Sequence, residues 1–107
     1  MIIEVKSPEI LYFILKRFSK VVIYYYAPWR AECARFNDTY QEACRGTGPG
    51  ITFCQVNVDL LPYIQELYDV NIYRTPAVIF MRDGQIVEKL YGDKPSVFID
   101  VLHDFGR

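Results

Sequence analysis

A chain of 107 residues, 51% hydrophobic and 23% charged, fits one compact domain over 1–107 with a real core and little room for a second. With 12 basic and 13 acidic residues the formal net charge is -1, and no basic block or stripe stands out, so neither nucleic acid nor an anionic membrane is expected as a partner. No apolar run approaches the ~18 residues of a membrane span, and three cysteines with one histidine make neither a disulfide framework nor an ordinary zinc site.

Ile2 to Val5 reads as a short strand. Ser7-Pro8-Glu9 then opens a helix, with Ser as N-cap, Pro at the first helical position and an acid in the first turn. Leu11, Ile14, Leu15 and Phe18 recur at helical spacing and give that helix one apolar face. Val21 to Tyr26 is a near-continuous apolar and aromatic run, the pattern of a central strand buried on both faces. It breaks at Ala27-Pro28, and a second helix is predicted from Ala31 to Cys44, stopped by the loop Arg45-Gly46-Thr47-Gly48-Pro49-Gly50. Ile51 to Val58 is a third strand, with Ile51, Phe53, Gln55 and Asn57 on one side and Thr52, Cys54, Val56 and Val58 on the other. Asp59 and Pro62 suit the start of a short helix carrying Ile64, Leu67 and Tyr68. Asn71 to Pro76 has no periodicity and leads into a strand at Ala77 to Met81. Asp83-Gly84 is a hairpin signal, so Gln85 to Tyr91 should return antiparallel. Gly92-Asp93-Lys94-Pro95 opens a last helix whose Val97, Phe98, Val101, Leu102 and Phe105 line one face. The order β-α-β-α-β-α-β-β-α implies an α/β fold, a central mixed sheet flanked by about four helices.

Four markers fall in sequence along that order: Ala27-Pro28-Trp29, Asn57-Val58-Asp59, Thr75-Pro76, and the glycines Gly84 and Gly92. On these the chain resembles the thioredoxin family over essentially its whole length, which implies the thioredoxin fold. The family's second strand ends in Trp-Cys-x-x-Cys, whereas this chain reads Trp29-Arg30-Ala31-Glu32-Cys33. By the resemblance, Arg30 stands where the family keeps its nucleophilic thiol, and Cys33 keeps the resolving position. Tyr24 and Gln55 align with the family's buried acid and its lysine partner, and Asp38 with its helix proline. These departures imply a vestigial redox site at Arg30 and Cys33 without dithiol turnover, since a mixed disulfide is resolved by the second thiol.

The resemblance also places a binding groove at Trp29, Thr75-Pro76 and the Tyr91-Gly92 edge, where family members hold an extended peptide beside a cis-proline. From sequence alone a trans bond before Pro76 is the default. Arg30, and Arg74 just before Thr75, are the cations expected at that groove, where an anion would relieve the cost of a cation at a helix N-terminus. A solvated Arg30, and a loop geometry kept for folding alone, are the plainer readings of the same residues. Cys33 is expected to be a small buried core residue. The rival is a monothiol protein forming mixed disulfides through Cys33. Cys44 and Cys54 read as reduced fillers, His103 as a surface residue, and Asp38, Glu42 and Asp59 as helix surface and caps. The sequence thus predicts a cytoplasmic interaction or scaffold module without metal or cofactor, a monomer or weak homodimer that takes a protein or peptide partner in a reducing compartment.

Overall fold

The computed structural model of the protein describes residues 1–61, 63 and 70–107. Five strands, β1 (Ile2–Glu4), β2 (Lys20–Tyr26), β3 (Thr52–Asn57), β4 (Ala77–Arg82) and β5 (Gln85–Tyr91), form one sheet in the order β1-β3-β2-β4-β5. The first three strands are parallel neighbours, while β4 runs antiparallel to β2 and β5 antiparallel to β4. The α-helices among the described residues are α1 (Pro8–Arg17), α2 (Ala31–Gly46) and α3 (Pro95–Phe105), joined by a 3-10 turn at Ile72–Arg74. This is the predicted mixed-sheet architecture. The further helix expected from Pro62 through Ile64, Leu67 and Tyr68 lies outside the described residues.

β2 is central, and Val21 to Tyr25 are all buried, because alternate side chains meet a different layer. Val21, Ile23 and Tyr25 pack in one core with Leu11 and Ile14 of α1. Val22 and Tyr24 pack in the other with Phe36 and Tyr40 of α2 and Phe98, Leu102 and Phe105 of α3. The predicted alternation of β3 holds as well. Ile51 and Phe53 belong to the α2 and α3 side, whereas Cys54, Val56 and Val58 belong to the α1 side. The hairpin turn forms as its sequence requires: Asp83 and Gly84 both take positive φ, 52° and 80°, the left-handed backbone of a two-residue turn.

Three expectations need correction. Phe18 is 38% exposed rather than on the buried face, because α1 ends at Arg17 and Phe18 is an extended C-cap whose side chain leaves the helical spacing. α2 runs two residues further than predicted, to Gly46, and the Thr47 hydroxyl donates to the Ala43 carbonyl at 2.6 Å in its last turn. Val97 is exposed. The buried residues of α3 are Phe98, Leu102 and Phe105, and Val97 lies about 100° round the helix from Phe98. Among the described residues no helix is long and apolar enough to cross a membrane.

Candidate functional site

β2 leaves the sheet at Ala27-Pro28 and brings Trp29 into solvent, 69% exposed. Arg30 follows as the N-cap of α2, with extended backbone and no side-chain capping bond. Its N–H donates to the Ala27 carbonyl at 3.1 Å, and its own carbonyl accepts from Cys33 and Ala34 at 3.1 and 3.2 Å. Its guanidinium lies over the Trp29 ring, 5.1 Å from the centroid. Arginine here is a weak cap, since its side chain has no acceptor for the free N–H groups of the first turn.

Cys33 is the third helical residue and points inward, 1% exposed. The Ala27 N–H donates to its sulfur at 3.5 Å. All three cysteines are free and buried. Cys33 and Cys44 are separated by eleven positions of one helix, about 16 Å at 1.5 Å per residue, whereas a disulfide needs Cα atoms within about 7 Å. Cys54 faces the α1 side of the sheet, away from α2. No second thiol can close on Cys33 in this fold.

Tyr24 occupies the space beneath the helix start. Its hydroxyl donates to the Cys33 carbonyl at 3.1 Å and to Asn37 Oδ1 at 2.7 Å, and its ring packs between Phe36 and Tyr40 at 5.3 and 4.9 Å. Burial, reinforced by the neighbouring Cys33, pushes its phenol well above the ordinary tyrosine range. It is a neutral donor and takes no proton near neutral pH. Gln55 is drawn into a different network: its amide donates to Glu4 Oε1 at 2.7 Å, and the Tyr26 hydroxyl donates to Glu4 Oε2 at 3.0 Å. Burial and then the Glu4 carboxylate raise Tyr26 to about 12. Beneath the site lie a phenol–amide contact and a carboxylate that ties β1 to β2 and β3.

Across from the helix start, the Thr75–Pro76 bond is cis, as the resemblance implied. The β2–β4 ladder ends where Tyr25 pairs with Ala77, so Ala27 and Thr75 both lie just beyond that end of the sheet. The Pro76 carbonyl accepts from the Gly92 N–H at 2.8 Å, where Gly92 has φ of 94°, a backbone that favours glycine. Thr75 is 2% exposed and its hydroxyl has no hydrogen-bond partner among the described residues. The Arg74 guanidinium lies over the Tyr91 ring at 4.2 Å, and the Tyr91 hydroxyl accepts from the Asn71 N–H at 3.3 Å. Trp29 and Arg30 follow the end of β2, and Arg74, Thr75 and Pro76 precede the start of β4, at the end of the sheet where Tyr25 pairs with Ala77 and Ala77 with Tyr91.

Sequence reasoning missed three contributors. Tyr73, 78% exposed, is a second aromatic at this end, and its place two residues before Thr75-Pro76 was a usable signal. Asn37 and the Arg35–Asp93 ion pair at 3.2 Å had none, because nothing in a linear pattern pairs residues 13 or 58 positions apart.

The buried hydroxyls and one thiol make the fold sensitive to alkali. Tyr24, Tyr40 and Cys54 are raised, each chiefly by burial, Cys54 to about 12. Each holds its proton more tightly folded than unfolded, so the unfolded chain binds fewer protons once pH passes the ordinary values and stability falls as pH rises. The urea midpoint should stay flat near neutrality and drop from about pH 9 upward, with the Cys54 and Tyr26 contributions gone by roughly pH 12. A midpoint constant through pH 11 would contradict the assigned burial.

A family model described as thioredoxin matches residues 3–104. Among curated proteins, glutaredoxin-3 of Mus musculus is 28% identical over 78 residues, 73% of this chain and 22% of that protein. Thioredoxin-1 of Caenorhabditis elegans is 33% identical over 72 residues, 67% of this chain and 60% of that protein. The chain thus spans about a fifth of the length of the glutaredoxin-3 relatives. Among solved structures, a thioredoxin of Malassezia sympodialis superposes with TM-score 0.91 at 18% identity, covering 100% of this chain and 92% of that one. Mitochondrial thioredoxin 3 of Saccharomyces cerevisiae gives 0.87 at 23% identity, with 96% and 94% covered.

Proposed function

This chain belongs to the thioredoxin family, and from that premise we propose that it is a redox-inactive member, an interaction or scaffold module whose groove at Trp29 and Pro76 takes an extended peptide or partner protein. The observation that carries this reading is Arg30 as N-cap of α2 above a solitary buried Cys33. Dithiol exchange needs one thiolate to attack a disulfide and a second to expel the mixed disulfide. Arg30 supplies no sulfur, and no other thiol reaches Cys33.

The groove has what peptide recognition uses. Trp29 and Tyr73 present exposed rings, and aromatic side chains are enriched where proteins dock. The β2–β4 ladder ends at Tyr25 and Ala77, and among the described residues the Thr75 N–H has no backbone acceptor. That edge is available to an added extended segment. Three free, buried thiols suit a reducing compartment.

The second reading, one-thiol chemistry at Cys33, draws on the Ala27 N–H directed at its sulfur and is separated by accessibility. In the native protein, alkylation of Cys33 should run about a hundredfold or more slower than in the unfolded chain, because it waits for local opening. Fast native alkylation with mixed-disulfide formation would replace the module by the monothiol protein. Affinity capture on reducing and non-reducing gels completes the test: prey lost with Trp29→Ala but kept with Cys33→Ser places recognition in the groove, and the reverse places it on the thiol.

A further inference from the structure

Resting on that groove reading, we propose that the segment it receives is acidic, an extended peptide whose Asp or Glu carboxylate lies between Arg30 and Arg74. The two arginines come to one place from separate parts of the chain. β2 and β4 part at the Tyr25–Ala77 pair: Arg30 follows that end of β2, its N–H bonded to the Ala27 carbonyl, and Arg74 precedes that end of β4.

Both guanidinium groups are laid on rings, Arg30 on Trp29 and Arg74 on Tyr91. A ring beside each guanidinium restrains it, so a carboxylate would meet donors that are partly ordered. Among the described residues neither guanidinium has an ion-pair partner. The ion pairs among the described residues join Arg35 to Asp93 and Arg107 to Asp104, so Asp93, the acid beside Gly92, is already engaged.

The N-cap position gives a second, independent reason. A helix N-terminus carries partial positive charge, so an arginine there is disfavoured until an anion arrives. The Arg30 Nε is buried and has no hydrogen-bond partner among the described residues, and the same holds for the Thr75 hydroxyl at the other wall. A neutral peptide would leave these charges unmatched, and a basic one would add repulsion to both arginines and the helix end.

Trp29 is the chain's only tryptophan, so its fluorescence reads this site alone. The full chain is titrated with extended peptides identical except for a central Glu-Glu, Gln-Gln or Lys-Lys. The Glu-Glu peptide should bind about tenfold or more tighter than the Gln-Gln one, the scale of a charge-assisted contact, with the preference shrinking as salt rises. Arg30→Gln and Arg74→Gln should each reduce the preference for Glu-Glu over Gln-Gln; Arg74→Gln, outside α2, guards against a folding effect at the helix start. Equal affinity for Glu-Glu and Gln-Gln overturns the acidic partner and leaves the groove reading standing. If no peptide of any charge shifts Trp29, the groove reading itself falls. Concentration-dependent change without peptide, removed by Arg30→Gln, assigns the site to a second copy and also overturns the proposal.

Discussion

If the protein is the redox-inactive module proposed above, replacing Arg30 with cysteine should confer disulfide cycling. Arg30→Cys puts a thiol at the N-cap of a 16-residue helix, where free N–H groups and the helix dipole favour the thiolate. That thiolate attacks a substrate disulfide, releasing one half as a thiolate and forming a mixed disulfide. Cys33, three residues on, then attacks the new sulfur, releasing the other half and closing an internal disulfide that dithiothreitol in the assay reduces. Multiple turnovers about tenfold or more above wild type are expected, the effect of roughly 1.4 kcal/mol on the barrier. The second step should limit the rate, because Cys33 must lose a proton and the phenol of Tyr24 beneath it is held protonated by burial. Adding Tyr24→Asp, with folding checked by circular dichroism, should raise the rate again and shift its pH profile; Tyr24→Phe should not. Wild-type turnover equal to that of Arg30→Cys would end the redox-inactive reading.

What the sequence made legible was local or carried by a marker. The apolar run Val21 to Tyr26 announced the central strand because both faces of one strand are read from six adjacent letters. Asp83-Gly84 announced its turn because few residues tolerate positive φ there. The site's position was legible through Trp29 and Thr75-Pro76. The partners of Tyr24 and Gln55 were not legible: the Tyr24 hydroxyl found Asn37 on the next helix, and Gln55 found Glu4 on an edge strand. The first pairing is set by how α2 seats on the sheet and the second by the β1–β3 register, which puts Glu4 opposite Gln55; no periodicity encodes either. The same limit explains Phe18 and Val97. Each is apolar and within reach of a predicted face, but a helix ending one residue early or a rotation of 100° decides exposure.

Tyr40 carries the largest expected stability effect. It lies on α2 with no exposure, its ring 4.9 Å from Tyr24, 5.7 Å from Phe53 and 5.9 Å from Phe98. Its hydroxyl donates to the Val22 carbonyl at 3.0 Å and the Cys54 carbonyl at 2.7 Å, so one side chain ties α2 to both central parallel strands. Tyr40→Ala should cost about 4 kcal/mol, the usual loss for emptying an aromatic site in a core. Against a total of roughly 5–15 kcal/mol for a domain, that leaves a marginal fold. Tyr40→Phe keeps the ring and removes the shared donor, and should cost about 1–2 kcal/mol. The urea midpoint at constant slope measures both. A Phe variant as damaged as the Ala variant would mean that the hydrogen bonds, not ring packing, hold α2 down. The same pair reaches the site, because Tyr24 packs on Tyr40 and bonds to the Cys33 carbonyl. Tyr40→Ala should therefore speed native alkylation of Cys33 well beyond Tyr40→Phe. If protection of that sulfur survives Tyr40→Ala unchanged, the start of α2 is held independently of the aromatic layer beneath it.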